Sequence, residues 1–330
     1  MILVGDIGGA KVNLALFVHQ NGRLSLERQR KYASQEYPRL EAVLRDFFSG
    51  GLPALDSACF GVAGPVENGY CQTTNLAWTV AAGELKEFLG IDAVWLINDL
   101  AAMACATPFL RTSEVEVIQA GTATGVTGRV AVIAAGTGLG QALLIPENAG
   151  RYRVLDSEGG HCDFPFLGER EAGLYQFLRR LYGRVSIERV LSGKGLAQIY
   201  LFLKEYYSLD EPGWLADEFR ENDAAAVVAR NGMEEKSELC QKALTMFVSF
   251  YGRVAGDLAL QYMAKGGVYI GGGIAPKIIS MIKSGPFMEA FLAKGRWQKF
   301  MAAIPVKVIM DERASLIGAA QFALGEKFAR

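Results

Sequence analysis

The sequence predicts an α/β protein of two domains, each carrying a copy of one strand–glycine turn–strand unit, with a cleft between the copies. Three observations predict it. The chain has 330 residues, more than the ~100–200 that one domain usually takes. Apolar runs of strand length alternate with segments of helical spacing, the order expected of a sheet with helices packed on it. Finally, IAAGTGLGQALLI (133–145) lies over VGDIGGAKVNLAL (4–16), and each copy is followed by a further extended segment, 151–155 in one case and 23–31 in the other.

The elements follow in order. Residues 2–5 form a buried strand, a glycine loop follows, and 12–18 is a second strand. Asn21-Gly22 marks a hairpin turn, after which 23–31 resumes an extended pattern. Leu40, Val43, Leu44 and Phe47 share one face of a helix over 38–48. A strand near 56–62, a loop over 63–79, a helix near 81–89, a strand at 93–97 and a helix at 99–107 come next, and Pro108 ends that helix. The later chain is more helical, with helices over 169–183, 186–206 and 237–264. The last of these is apolar nearly all round and is expected to be buried; Arg253 and Asp257, four apart on it, are placed to pair. A strand at 267–270 runs into Gly271–Gly273, a helix starts near 275, and a strand at 306–310 leads to a terminal helix at 313–328. The expected small domain is 1–109 plus 313–330, the larger one 110–312, with a tight hinge near Pro108–Thr112.

Composition excludes several classes. Apolar residues make up 51% and charged residues 21%, which excludes general disorder. A net charge of −1 with no basic run gives no footprint for nucleic acid or a membrane surface. Asp6 interrupts the apolar start, so no signal peptide is read there. No run of about 18 apolar residues is present to span a bilayer. The five cysteines, Cys59, Cys71, Cys105, Cys162 and Cys240, show no C-x-x-C spacing and suit a reduced, cytoplasmic protein. Glycine is in excess, 38 of 330 residues against a usual ~7%, and the excess is clustered in loops.

Those loops are where chemistry can sit. GDIGGAK (5–11) puts Asp6 beside Gly8 and Gly9 between two strands. It is either an ordinary hairpin or a site where backbone N–H groups meet an anion. AGTGLG (135–140) repeats the device with Thr137 as an added hydroxyl, and YIGGGIAP (269–276) is a third such turn. Two glycine turns at the ends of duplicated hairpins suit a polyphosphate. In LINDLAA (96–102), Asn98 and Asp99 stand where a strand meets a helix, either as an N-cap or with the carboxylate as a general base. SEGGHCDF (157–164) sets Glu158 and His161 around a Gly-Gly turn, so both can converge on one ligand; a metal set of Glu158, His161, Cys162 and Asp163 lacks tetrahedral completion. In SIERVLSGKGL (186–196), Ser186 reads as an N-cap, with Glu188 in the first turn.

Together these stretches resemble the bacterial glucokinase family of the sugar kinase, Hsp70 and actin superfold. Those that match are GDIGGAKVNLALF (5–17), FGVAGPV (60–66), TNLAW (74–78), INDLAA (97–102), AAGTGLG (134–140), SEGGHCDF (157–164), SIERVLSGKGL (186–196) and GGVYIGGGIAPK (266–277), in the family's order and over nearly the whole chain. The resemblance implies a duplicated actin-like (ribonuclease H-like) ATPase fold with an interdomain cleft. It implies ATP-dependent phosphorylation of glucose at the 6-hydroxyl, with Asp99 as general base. Asn98, Glu158, His161 and Glu188 correspond to sugar contacts. Gly8–Gly9 and Gly136–Gly138 correspond to phosphate loops, and Gly271, Gly272 and Gly273 to the turn beside the adenosine. ATP and Mg²⁺ are the implied cofactors, Asp6 holding the metal through water, and a cytoplasmic homodimer is the implied assembly.

One motif departs from the family. Its first loop usually reads D-x-G-G-T-N, whereas Ala10 and Lys11 stand here for the threonine and the asparagine. Lys11 is expected either to reach the phosphates by charge or to point to solvent. A kinase for another hexose or with another phosphoryl donor is the alternative reading, together with a sugar-binding regulator of impaired catalysis.

Overall fold

The computed structural model describes residues 1–73, 76–122 and 128–328. Thr74 and Asn75 of the TNLAW stretch lie outside the described residues. The chain divides into two compact units: Met1–Glu114, Ala142–Asp156 and Asp311–Arg330 in the first, Val115–Gln141 and Ser157–Met310 in the second. Residues 142–156, expected with the larger domain, therefore group with the first unit. The reason is local pairing with the chain end: Tyr152 N donates to Lys327 O, and the Arg151 guanidinium donates to Phe328 O.

The first unit opens with the antiparallel strands β1 (Ile2–Ile7), β2 (Lys11–Gln20) and β3 (Arg23–Ala33). Asn21 and Gly22 both take positive φ, as a two-residue hairpin turn requires. Helix α1 (Leu40–Phe47) precedes β4 (Ser57–Val62); the short strands β5 (Tyr70–Gln72) and β6 (Thr79–Ala81) pair with each other; then come α2 (Ala82–Leu89), β7 (Val94–Asn98) and α3 (Asp99–Ala106). The main sheet has the order β3-β2-β1-β4-β7, with β1, β4 and β7 parallel. Strand β4 is buried at every position, which matches its continuous apolar run. Leu3, Leu14, Val43, Phe47, Phe60 and Leu85 belong to the core between sheet and helices.

The chain continues through β8 (Val115–Gln119), β9 (Val130–Ala135), β10 (Leu139–Pro146), β11 (Tyr152–Ser157), α4 (Gly168–Tyr182), α5 (Gly193–Tyr207), α6 (Gly213–Glu221), α7 (Ala224–Met233) and α8 (Glu238–Tyr262). It ends with β12 (Gly267–Gly271), α9 (Ile279–Lys283), α10 (Pro286–Leu292), α11 (Gln298–Ala302), β13 (Val306–Ile309) and α12 (Ala314–Leu324). The second sheet has the order β11-β10-β9-β12-β13-β8. Its first five strands repeat the order of the first sheet, so the duplication read from the glycine hairpins extends to the topology. Strand β8 is an added antiparallel edge.

Three expected elements differ. The helix expected over 186–206 begins only at Gly193; before it, Ile187–Arg189 form a single 3-10 turn. Ser192, not Ser186, caps the helix, its Oγ accepting from Gly195 N at 3.1 Å. Arg253 and Asp257 do not pair with each other. Arg253 makes a two-pronged bond to Glu171 of α4 at 2.7 and 2.6 Å, and Asp257 takes Lys294 at 2.6 Å. A fork-on-carboxylate pair satisfies both groups better than an i,i+4 contact along one helix. The helix expected from 275 starts as a 3-10 turn and is broken into α9 and α10 by Gly285, whose φ of 122° L side chains avoid.

Helix α8 is buried on most faces, including Phe247, Tyr251, Val254 and Leu258. Its Gly252 faces the Phe287 backbone of α10 so closely that a Cβ would overlap the Phe287 carbonyl oxygen. The same device joins α12 to α3 in the first unit: a Cβ on Gly318 would overlap the carbonyl oxygen of Ala102. By contrast, a Cβ on Gly83 in α2 would meet nothing within 4 Å. Gly318→Ala is therefore expected to cost about 2–3 kcal/mol through overpacking. Gly83→Ala is expected to add roughly 0.5–1 kcal/mol by removing a helical glycine. Guanidinium denaturation midpoints check the pair, and equal shifts would contradict the close packing.

Candidate functional site

In the first unit the parallel strands end together. Ile7 lies opposite Val62, and Val62 opposite Asn98. The loop after β1 and the start of α3 after β7 thus emerge on one carboxyl edge, two strand spacings or roughly 10 Å apart. Glycine makes the crowding at this edge tolerable: a Cβ on Gly61 would stand 3.1 Å from Ala102 Cβ and 3.4 Å from Asp99 Cα.

The first loop is a tight turn closed by Gly8 N donating to Lys11 O at 2.9 Å. Buried Ser34 supports it from behind. Its hydroxyl donates to Gly8 O at 2.9 Å and its N–H donates to Ala10 O at 3.1 Å. Ser34 stands in no motif, since its role depends on where β3 ends beside the loop. Ala10 and Lys11 are exposed, and Lys11 makes no ion pair among the described residues. Asp6 is half-buried, and burial pushes its carboxyl up to about 6 from 3.8.

At the other end of this edge the two readings of Asn98 and Asp99 separate. Asn98 is the cap: its Oδ1 accepts from Leu100 N at 2.8 Å and Ala101 N at 3.2 Å, and its Nδ2 donates to Gly64 O at 3.3 Å. Asp99 is the first residue inside the helix, with Oδ1 accepting from Leu100 N at 2.9 Å. The capping duty that competes with a chemical role for Asp99 is thus carried by its neighbour.

In the second unit the ends of β9 and β12 are likewise in register, Ala134 opposite Gly271. Gly136 N donates to Gly138 O at 2.8 Å and closes the second glycine loop, leaving Thr137 exposed. The loop is held from outside by Gly193 N, which donates to Gly136 O at 2.9 Å, and by Glu188, whose Oε2 accepts from Leu139 N at 2.9 Å. A Cβ on Gly138 would come within 2.5 Å of that same carboxylate oxygen. Glu188 therefore touches the loop as well as standing at a sugar-motif position. Gly272 takes φ 81° and Gly273 is exposed, so the third turn presents backbone outward.

Glu158 and His161 flank the 3-10 turn Gly159–His161, with His161 Nε2 3.7 Å from Glu158 Oε2 and both side chains 56% exposed. The two glycines are required by packing. A Cβ on Gly160 would overlap the Leu139 carbonyl, and one on Gly159 would overlap Oε1 of buried Gln141. Ser157 adds a hydroxyl that accepts from Gly159 N at 3.0 Å. Asp163 pairs instead with Arg184 at 2.8 Å. Among the described residues no three His, Cys, Asp or Glu side chains converge on a metal position. A nucleotide-bound magnesium ion needs only one or two protein carboxylates besides phosphate and water, so Asp6 is of the right kind to hold one.

The raised carboxyl of Asp6 has a consequence for stability. Its folded value, about 6, lies above its ordinary value of 3.8. The group therefore favours folding most at low pH, and that contribution is lost as pH rises from about 4 through about 6. Asp6→Asn is expected to raise Tm by roughly 3–6 °C at pH 8. The gain should shrink to about a third of that at pH 4.5. Thermal unfolding at the two pH values checks this, and a gain that is larger at pH 4.5 would contradict the burial of the charge.

The family model described as Glucokinase matches residues 3–326. A glucokinase of Synechocystis is 40% identical, the match covering 96% of each chain. The crystal structure of a glucokinase from an Antarctic psychrotroph is 33% identical, with a TM-score of 0.83 over 98% of this chain and 99% of that one. A glucokinase of Balamuthia mandrillaris, crystallised in complex with glucose, shares the fold at 20% identity, with a TM-score of 0.81 over 98% of this chain and 93% of that one. With a family model spanning nearly the whole sequence and a relative at 40% identity over almost its full length, the chain belongs to the glucokinase family.

Proposed function

We propose that this chain transfers the γ-phosphoryl group of ATP to the 6-hydroxyl of glucose, giving glucose 6-phosphate and ADP. The observation that carries the reading is the division of labour at the head of α3. Asn98 caps the helix, and Asp99 follows at the carboxyl edge that also carries the Asp6–Lys11 loop. Asp99 takes the proton of the 6-hydroxyl while its oxygen bonds to the γ-phosphorus in line and the bond to the β–γ bridging oxygen breaks. ADP leaves with that electron pair. Such a transfer depends mostly on positioning and charge neutralisation.

The remaining polar groups bind and orient. Glu158 and His161, both largely exposed, offer an acceptor and a donor or acceptor to sugar hydroxyls. Glu188 offers its second carboxylate oxygen, and Asn98 the second hydrogen of its amide. Polar groups of this kind discriminate against analogues lacking a hydroxyl, because they would be left unpaired. The glycine-loop amides meet the phosphates, Gly271–Gly273 lies beside the adenosine, and Mg²⁺ when bound offsets phosphate charge. Asp6 would hold that ion through water. Burial of Cys59, Cys71, Cys105 and Cys240 in the core suits a reducing, cytoplasmic setting. The family habit supports a homodimer.

Ala10 and Lys11 favour a second reading, in which the phosphoryl donor differs from ATP. Ala10 donates nothing from its side chain, and an exposed ammonium at Lys11 suits a donor of high negative charge.

The first reading is tested at Asp99. Asp99→Asn should retain glucose affinity within about threefold by calorimetry while kcat falls by about 10²–10⁴-fold, the scale of general-base catalysis. Near-normal turnover in this variant would leave Asp99 with a structural role at the head of α3 and nothing more.

A further inference from the structure

We propose that Tyr251 is a positioning residue for the nucleotide, its hydroxyl pinning the roots of the Gly136–Gly138 and Gly271–Gly273 loops to each other. The inference rests on the kinase reading above for its functional part and on packing for its structural part.

Tyr251 lies midway along α8 and is wholly buried. Its hydroxyl oxygen accepts from Ala135 N at 3.0 Å and lies 3.4 Å from the carbonyl oxygens of both Ile133 and Gly271. These groups stand at the ends of β9 and β12. The parallel ladder between those strands runs out at Ala134 and Gly271. Beyond that point β12 turns away through Gly272, and a buried N–H on Ala135 needs another partner. The phenol supplies it. Its single hydrogen has one acceptor on each strand, so it ties β9 to β12 where the sheet itself no longer does.

The ring is held for this task. It packs edge-on to Phe247 at 6.1 Å and Phe287 at 6.0 Å between centroids. Burial keeps the phenol neutral at every ordinary pH, so it retains its hydrogen. The residue after the pinned amide is Gly136, and the residue after the pinned carbonyl is Gly272. Both glycine turns therefore start from a shared anchor, and their separation is set by one oxygen atom. Loop amides that meet phosphates must be placed to a fraction of an ångström, because small displacements of positioning groups cost large factors in binding and rate.

Tyr251→Phe removes the oxygen and keeps the ring. Two measurements follow. In the ligand-free variant, amide hydrogen exchange at Ala135 and Gly136 should speed up at least ~10-fold, with exchange in β1–β4 unchanged. The ATP KM should rise about 5–20-fold, with the glucose KM within twofold. Phe287→Leu loosens the same core and leaves the hydroxyl in place, so it should lower Tm without moving the ATP KM. The proposal is overturned by unchanged exchange at Ala135. It is overturned equally by a parallel rise in both KM values, or by an ATP KM in Phe287→Leu as high as in Tyr251→Phe. Should the native chain show no ATP-dependent glucose phosphorylation, the kinase reading fails by itself, and the exchange result alone decides the pin.

Discussion

Contact between backbone and backbone across α3 and α12 fixes where Asp99 stands. Gly318 lies on the Ala102 carbonyl with no room for a methyl group, and Gly61 of β4 lies against α3 near Asp99. A helix held this closely cannot slide or rotate without collision, because packed interiors leave no free volume at the contact. The head of α3 is thereby fixed against the carboxyl ends of β1, β4 and β7, where the first glycine loop also begins. Precision of this kind comes from a small residue at the contact, and α12 supplies it as Gly318.

The second unit solves the same problem with polar groups. Its glycine loop is fastened by Gly193 at one carbonyl and by Glu188 at one amide. Tyr251 takes a third group just before the loop begins. Glu188, which stands at a motif position, also accepts from the amide of Leu139 just after the glycine loop. The bond is charge-assisted and correspondingly strong.

Much of this was legible in the sequence. The antiparallel pairing of β1 with β2 follows from the first glycine hairpin, because its turn separates two apolar runs of strand length, whereas the parallel order β1-β4-β7 rests on crossovers between distant segments. The hairpin at Asn21-Gly22 follows from the backbone angles those residues accept. The motif positions at Asn98, Asp99, Glu158, His161 and Glu188 were visible as clusters at element ends. What the sequence hid were contacts made between distant segments. Ser34 behind the first loop, Gln141 behind Gly159 and Tyr251 behind the second loop each act through a partner far along the chain. The cap read at Ser186 falls instead to Ser192, because the helix begins only at Gly193 and the Ser192 hydroxyl reaches Gly195 N. Arg253 and Asp257 have helix spacing for a pair, yet α4 and Lys294 offer each a better partner.

Phosphoryl transfer to the 6-hydroxyl can be followed directly. Purified chain is incubated with ATP, Mg²⁺ and glucose labelled at carbon 6, and the products are followed by ³¹P and ¹³C spectra. The expected product is a phosphate monoester whose phosphorus couples to the labelled carbon, with ADP appearing in equal amount and only when glucose is present. ADP release that does not depend on sugar, or a phosphate carried on another carbon, would contradict it.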